Sequence, residues 1–227
     1  MKSKILFITS LLLIVGCSKE PINFETTLIE KDGVYYTKDT NKPYSGPVFS
    51  IYDINQKKEE GSLKEGKEDG LWTRWSRFGK KREEKTYKDG KLDGLYTYFY
   101  KNGQKWSEGN YKDGKVDGSY TFWYENGQKS YEENYKDGIR IGLWNGWYKN
   151  GRKNSENTYT DNKRYGLSLS WYENGEKKSE GTYNDNGLDG LYTIWDQNGN
   201  KYSEETYKDG ERFGELIYYK EDGSVKE

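Results

Sequence analysis

Apolar and polar positions along this chain alternate in short runs, with no stretch of the repeated region carrying helical spacing. From Leu95 to Tyr100 the sequence reads Leu-Tyr-Thr-Tyr-Phe-Tyr, and from Lys105 to Tyr111 a second run follows. Between them stands Asn102-Gly103, a dipeptide suited to a two-residue type I′ hairpin turn. That turn would set Phe99 opposite Trp106, Thr97 opposite Glu108 and Tyr96 opposite Gly109. Alternation then sorts the hairpin into two faces. Tyr96, Tyr98, Tyr100, Lys105 and Tyr111 share one, while Leu95, Thr97, Phe99, Trp106 and Glu108 share the other. Both faces are aromatic, so neither is simply a wet side.

The same hairpin recurs every 24 residues. Glycines fall at Gly46, Gly70, Gly94, Gly118, Gly142, Gly166, Gly190 and Gly214, and the hairpin glycines at Gly79, Gly103, Gly127, Gly151, Gly175, Gly199 and Gly223. A third series, Gly66, Gly90, Gly114 and Gly138, continues through Asn162 and Asn186 to Gly210. Asn is the residue that best replaces Gly in a left-handed backbone, so this series predicts positive φ. The segment Lys112 to Gly118 reads as a longer connection to the next hairpin. The predicted fold is all-β: one elongated, single-layer antiparallel sheet of repeated 24-residue hairpins. Seven repeats occupy residues 46–213, with cap strands at 28–45, a charged half-repeat cap at 214–227 and a tether at 17–27. Two strands per repeat, each ~4.8 Å wide, give a ribbon on the order of 75–80 Å long.

Composition narrows the chemistry. The 227 residues include 37 Lys+Arg and 38 Asp+Glu, no His and one Cys. Without imidazole, Ser-His-Asp and Cys-His catalysis and His-ligated metals are excluded, and a single Cys closes no disulfide within the chain. A net charge of −1 gives no electrostatic case for nucleic acid. Only 31% of residues are apolar, which argues against a thick core, yet 17% are aromatic, which argues against disorder. The expected protein is not an enzyme, has no catalytic residues and uses no cofactor or metal.

At the amino terminus, Lys2 and Lys4 precede an apolar run from Ile5 to Val15, too short to span a bilayer, so residues 1–16 read as a signal peptide. Ile14-Val15-Gly16-Cys17 resembles the lipobox of bacterial lipoproteins. The resemblance implies cleavage before Cys17, lipidation of that residue and, with Ser18 next to it, an outer-membrane or cell-surface location. An ordinary cleaved signal peptide is the alternative.

The strings Tyr111-Lys112-Asp113-Gly114-Lys115-Val116-Asp117-Gly118 and Trp123-Tyr124-Glu125-Asn126-Gly127-Gln128-Lys129 resemble the MORN repeat, and more closely its variant in bacterial antitoxin-like repeat proteins. The resemblance covers nearly everything from Tyr35 onward. It implies a single-layer hairpin array used for protein contact or membrane association, and the antitoxin-like form implies neutralisation of a toxin. The chain departs from the ordinary pattern in its 24-residue period, its Asn-Gly hairpin and its Tyr where Trp is common. It also lacks the basic excess that phospholipid headgroups favour. The expected function is therefore a surface lipoprotein scaffold for a protein partner, held to the membrane through Cys17. The partner would be a host or neighbouring-cell component or a toxin. The rival is an envelope structural protein that binds polysaccharide, the glycan lying along its aromatic rows.

Among candidate sites, Glu60, Glu84, Glu108, Glu132, Glu156, Glu180 and Glu204 form an acidic series. Equivalent carboxylates ~10 Å apart cannot share a calcium ion, whose ligands lie ~2.3–2.6 Å away. Thr73, Thr97, Thr121 and Thr193 opposite them predict hydroxyl–carboxylate bonds instead. Lys57, Lys81, Lys105, Lys129, Lys153, Lys177 and Lys201 follow the hairpin turns, where a lysine stem can cover a ring. The candidate partner-binding residues are Trp123, Trp147, Trp171 and Trp195, the longest run of one aromatic type in a single row.

Overall fold

The computed structural model describes residues 19–53 and 56–226. The expected signal peptide and Cys17 lie outside the described residues. Apart from a separate two-stranded sheet formed by Leu28–Lys31 and Val34–Thr37, the strands join one open sheet that follows chain order from Gly46–Ile51 to Ile217–Tyr218. All its neighbours pair antiparallel except one: Ile22–Asn23 runs parallel to Gly46–Ile51 and covers its outer edge. The all-β, single-sheet array of hairpins is thus the architecture of the described chain.

The two turns of each repeat exchange the roles expected of them. Lys112 pairs with Lys115 across Asp113 and Gly114, whose φ values are 50° and 83°. Positive φ at both central residues makes Asp-Gly the two-residue type I′ turn. Lys115–Trp123 is consequently a strand, not the tail of a long connection, and Gly118, at φ 106°, lies within it where the pairing shifts register. At the other margin Asn102 has no positive φ. The Gly103 amide donates to the Tyr100 carbonyl (3.0 Å) and the Tyr100 amide to the Gln104 carbonyl (2.8 Å). That is a three-residue loop with a type I turn and a left-handed glycine.

The longer loop changes the faces. Phe99 pairs with Lys105 and Tyr98 with Ser107, so Trp106 sits in a bulge and not opposite Phe99. Thr97–Glu108 and Tyr96–Gly109 pair as expected. The bulge exchanges Lys105 and Trp106: Lys105 joins Thr97, Phe99 and Glu108, while Trp106 packs edge-on against Tyr98 (5.3 Å) and Phe122 (5.9 Å) on the tyrosine face. In the third glycine series Asn162 takes φ 67°, but Asn186 does not; Gly187 carries positive φ there instead. A glycine one place later relieves Asn186 of the strained conformation.

Each repeat is bonded to the next along both margins. At the Asp-Gly side the Gly114 amide donates to the Leu92 carbonyl (2.7 Å), Gly138 to Val116 (2.8 Å) and Gly210 to Leu188 (2.8 Å). At the Asn-Gly side Tyr100, Tyr124, Tyr148 and Tyr172 donate their hydroxyls to the carbonyls of Trp123, Trp147, Trp171 and Trp195 at 2.7–2.8 Å. Asn102, Asn126, Asn150 and Asn174 donate their side-chain amides to the carbonyls of Glu125, Lys149, Glu173 and Gln197. The Asn therefore serves a contact between repeats that its turn conformation alone does not require.

A buried apolar cluster sits at the amino-terminal end, where Leu28, Val48, Leu63 and Trp72 meet Ile22, Phe24, Tyr35, Tyr44 and Tyr87. Phe24 stands edge-on to Tyr35 (5.7 Å) and Trp72 (5.9 Å). Residues 22–27 were expected in a tether; their short strand and helical turn instead pack onto the cap, because Ile22 and Phe24 give them apolar surface to bury.

Elsewhere the tyrosine face is built ring on ring. Tyr120 lies so flat over Gly109 that a Cβ there would stand 2.2 Å from its ring. Gly109→Ala should displace Tyr120 and lower stability by roughly 1–3 kcal/mol, read as a fall in Tm by circular dichroism. An unchanged Tm would mean that the ring moves freely.

Candidate functional site

The face opposite the tyrosines carries three parallel rows that the repeat lays across the strands. The central row alternates Thr and Glu: Glu84 pairs with Thr73 and Thr97, and Glu108 with Thr97 and Thr121. Thr97 donates to Glu108 (3.1 Å) and Thr193 to Glu204 (3.3 Å), two of the four expected hydroxyl–carboxylate bonds. The row is interrupted where Asn145 and Leu169 replace Thr.

Beside it runs the aromatic row. Trp123, Trp147, Trp171 and Trp195 are half-buried and lie at the same place in successive repeats, continued by Trp75, Phe99 and Tyr219. Each ring carries the ammonium of a lysine from the preceding repeat: Lys105 over Trp123 (5.8 Å), Lys129 over Trp147 (5.9 Å), Lys153 over Trp171 (5.8 Å) and Lys177 over Trp195 (5.0 Å). The same lysines ion-pair with the glutamate three residues on, from Lys57–Glu60 to Lys201–Glu204. Exposed pairs of this kind contribute about 0–1 kcal/mol each, and the cation–ring contacts a similar amount. Their effect is geometric as much as energetic, since seven lysines are held flat on the sheet. The bond from Lys201, assisted by Tyr219, also holds the Glu204 carboxyl below its ordinary range.

The third row is leucine, which strand alternation placed on this face without singling it out. Leu71, Leu95, Leu143, Leu167 and Leu191 recur one residue after the bulge glycine and are 42–57% exposed. Ser119 stands at the one position of the row between Leu71 and Leu191 without leucine. A leucine that pairs across the sheet with Thr or Asn, as Leu71 with Thr86 and Leu95 with Asn110, has no apolar layer above it. Exposed leucines recurring at ~10 Å intervals on one face, with Thr, Asn or Ser between them, form a row of apolar contact points of the kind found at contact surfaces. The signal was in the 24-residue spacing, but a recurring leucine reads first as core.

On the tyrosine face the rings toward the Asp-Gly margin cover one another, while Trp106 and Tyr131 toward the other margin stay 42% and 48% exposed. Tyr96 meets Tyr111 (5.8 Å), Tyr111 meets Tyr120 (6.3 Å), and Tyr135, Trp144 and Tyr159 continue the ladder. Burial pushes the Tyr87 and Tyr96 hydroxyls up to about 12. Glu133 lies among these rings, bonded by the Tyr135 hydroxyl (2.9 Å). Burial raises its carboxyl above the usual range, against the opposing pull of Tyr135 and Arg140.

A family description, MORN repeat variant, matches residues 68–89, 92–113, 116–137, 164–185 and 188–209. No curated protein matches the chain.

The raised Glu133 carboxyl has a measurable consequence. In the window above about pH 4.3 the folded state holds a proton that the unfolded state has lost, so stability falls as pH rises through it. Glu133→Gln, which keeps an acceptor for Tyr135, should raise Tm near pH 7.5, with the gain shrinking toward about pH 4. An equal effect at both pH values would remove the electrostatic cause.

Proposed function

The chain belongs to the MORN repeat variant family, whose repeats generally act as scaffolds for protein or membrane binding and are typically non-enzymatic, and we propose that it is a non-catalytic lipoprotein that binds a protein partner at the outer membrane or cell surface. The observation that carries this reading is the row of exposed leucines flanked by the Trp–Lys–Glu row. The leucines supply apolar contacts to a partner along one side of this face, and the Thr–Glu row and the fixed Lys–Glu charges beside it supply a polar margin. Trp123, Trp147, Trp171 and Trp195 belong to that margin. Their role is to hold the lysines in place and to contribute ring edges.

A polysaccharide lying on the aromatic row is the weaker reading, because a sugar stacks on an open ring face and these faces carry lysine ammonium groups. Membrane attachment rests on lipid at Cys17; several acyl chains hold a protein firmly where one binds only marginally. The partner is a host or neighbouring-cell component, or a toxin to be neutralised.

In-cell crosslinking tests the face. With a photoreactive residue at Leu143 or Leu167, a discrete crosslinked protein should form; the same residue at Tyr159, on the opposite face, should give none. Crosslinking from Tyr159 alone would assign the interface to the other side. In the same cells Cys17→Ser should move the protein from the membrane fraction to the soluble fraction, and persistence in the membrane would rule out the lipid anchor.

A further inference from the structure

One repeat departs from the repeats that follow it on a single patch of surface. In the hairpin around Gly79, residues 74, 77, 78, 80 and 82 are Arg, Arg, Phe, Lys and Arg. One period later the same places hold Tyr98, Lys101, Asn102, Gln104 and Trp106, and two periods later Phe122, Glu125, Asn126, Gln128 and Ser130. Phe78 is the costly departure. It replaces the asparagine that in the next four hairpins ties one hairpin to the following one, and its ring stands 89% exposed at the tip. The repeat has given up a structural bond for an uncovered aromatic ring among cations.

Together with Tyr52, Tyr98 and, at the margin, Trp75, these residues line an open cavity of about 700 Å³ on the tyrosine side. Five cations, Arg74, Arg77, Lys80, Arg82 and Lys101, face it with one carboxylate, Glu83, which is already paired with Arg74 (3.5 Å) and Lys85 (2.7 Å). Arg77 is also paired with Asp53 (3.6 Å), so among the described residues Lys80, Arg82 and Lys101 are the cations of the lining without an ion-pair partner, a local excess of positive charge in a chain of net charge −1. The cavity shares Arg82 and Tyr98 with a second of about 460 Å³ at Trp106, lined also by Glu125, and that one shares Tyr100 and Trp106 with a third of about 370 Å³ at Tyr131, lined also by Glu133. Trp106 and Tyr131 are 42% and 48% exposed. The six strands from Gly70–Trp75 to Lys129–Lys136, ~4.8 Å apart, make a groove of about 25 Å, the length of seven or eight extended residues.

We infer that this groove binds an extended peptide segment of a protein partner, with acidic residues at the arginine end and apolar residues along Trp106 and Tyr131. Arginine forks suit carboxylates. The tyrosine rings at the cationic end are occupied, Tyr52 by Arg77 (5.4 Å) and Tyr98 by Arg82 (5.7 Å), which leaves no row of open ring faces for a sugar. Phe78 is open and offers an apolar contact beside the charges. The inference rests on the protein-binding reading but uses the face opposite the leucine row, so the two fail separately.

The test is fluorescence anisotropy on the purified chain with a labelled eight-residue peptide of four Glu followed by alternating Phe and Ser. A peptide with Lys in place of Glu serves as control, and oligogalacturonate and inorganic phosphate as competitors. The acidic peptide should bind, weaken as salt rises, and lose about tenfold in affinity with Arg77→Glu combined with Arg82→Glu. Lys149→Glu, the same tip position three repeats on, should leave binding unchanged. Phe78→Ser, which alters no charge at an exposed tip, should also weaken it and keeps the test decisive if the double variant fails to fold. Crosslinking from Leu143 should persist in the charge-reversed protein. Equal binding of both peptides, insensitivity to all three groove substitutions, or displacement by oligogalacturonate or phosphate at lower concentration than the peptide itself requires would each overturn the assignment.

Discussion

A sheet one layer thick has no second layer against which to bury its faces, and every other feature of this molecule answers to that constraint. What a two-layer domain obtains from a shared core, this chain obtains from contacts between one repeat and the next. The hydrogen bonds at the two margins fix the spacing of the hairpins. The rings between them, including Tyr120 flat on Gly109, cover one another because nothing else does. The charged row on the opposite face is arranged in the same way, with each lysine reaching forward onto the ring of the following repeat. Only at the amino-terminal cap, where Ile22 and Phe24 fold back beside Trp72, do the described residues gather a buried apolar cluster.

This economy explains how much of the fold could be read from the residues. The period was plain because three independent glycine series kept it, and the substitution of Asn162 for Gly identified a left-handed position that the backbone indeed has. The turn types were not separable by the same means. Asn-Gly and Asp-Gly are both good type I′ sequences, and what distinguishes them here is that Asn102 bonds to the next hairpin, a contact between elements and not within one. The extra loop residue then produced the bulge at Trp106, and that bulge moved one lysine and one tryptophan to opposite faces. A single misplaced residue in a period-two pattern inverts the facing of every later side chain until the register is restored.

The candidate surfaces were legible to different degrees. The tryptophan row stood out by type, but its partnership with the lysines did not, because alternation placed Lys105 on the opposite face until the bulge at Trp106 moved it across. The leucines did not stand out, because their exposure depends on the absence of a covering layer. The arginine cluster was visible only by comparing each repeat with its neighbours, since nothing about Arg77 or Phe78 in isolation distinguishes them from ordinary surface residues. In a repeated molecule the consensus describes what the architecture needs, and departures from it, where they coincide in space, record a different requirement.

The reach of the tying bonds has one more consequence. The side-chain bonds along the Asn-Gly margin span 23 residues, so none skips over a neighbouring copy to a more distant one. Duplication or loss of 24 residues in the gene therefore leaves each junction chemically intact, and array length becomes a quantity that unequal recombination can adjust without inventing a new fold.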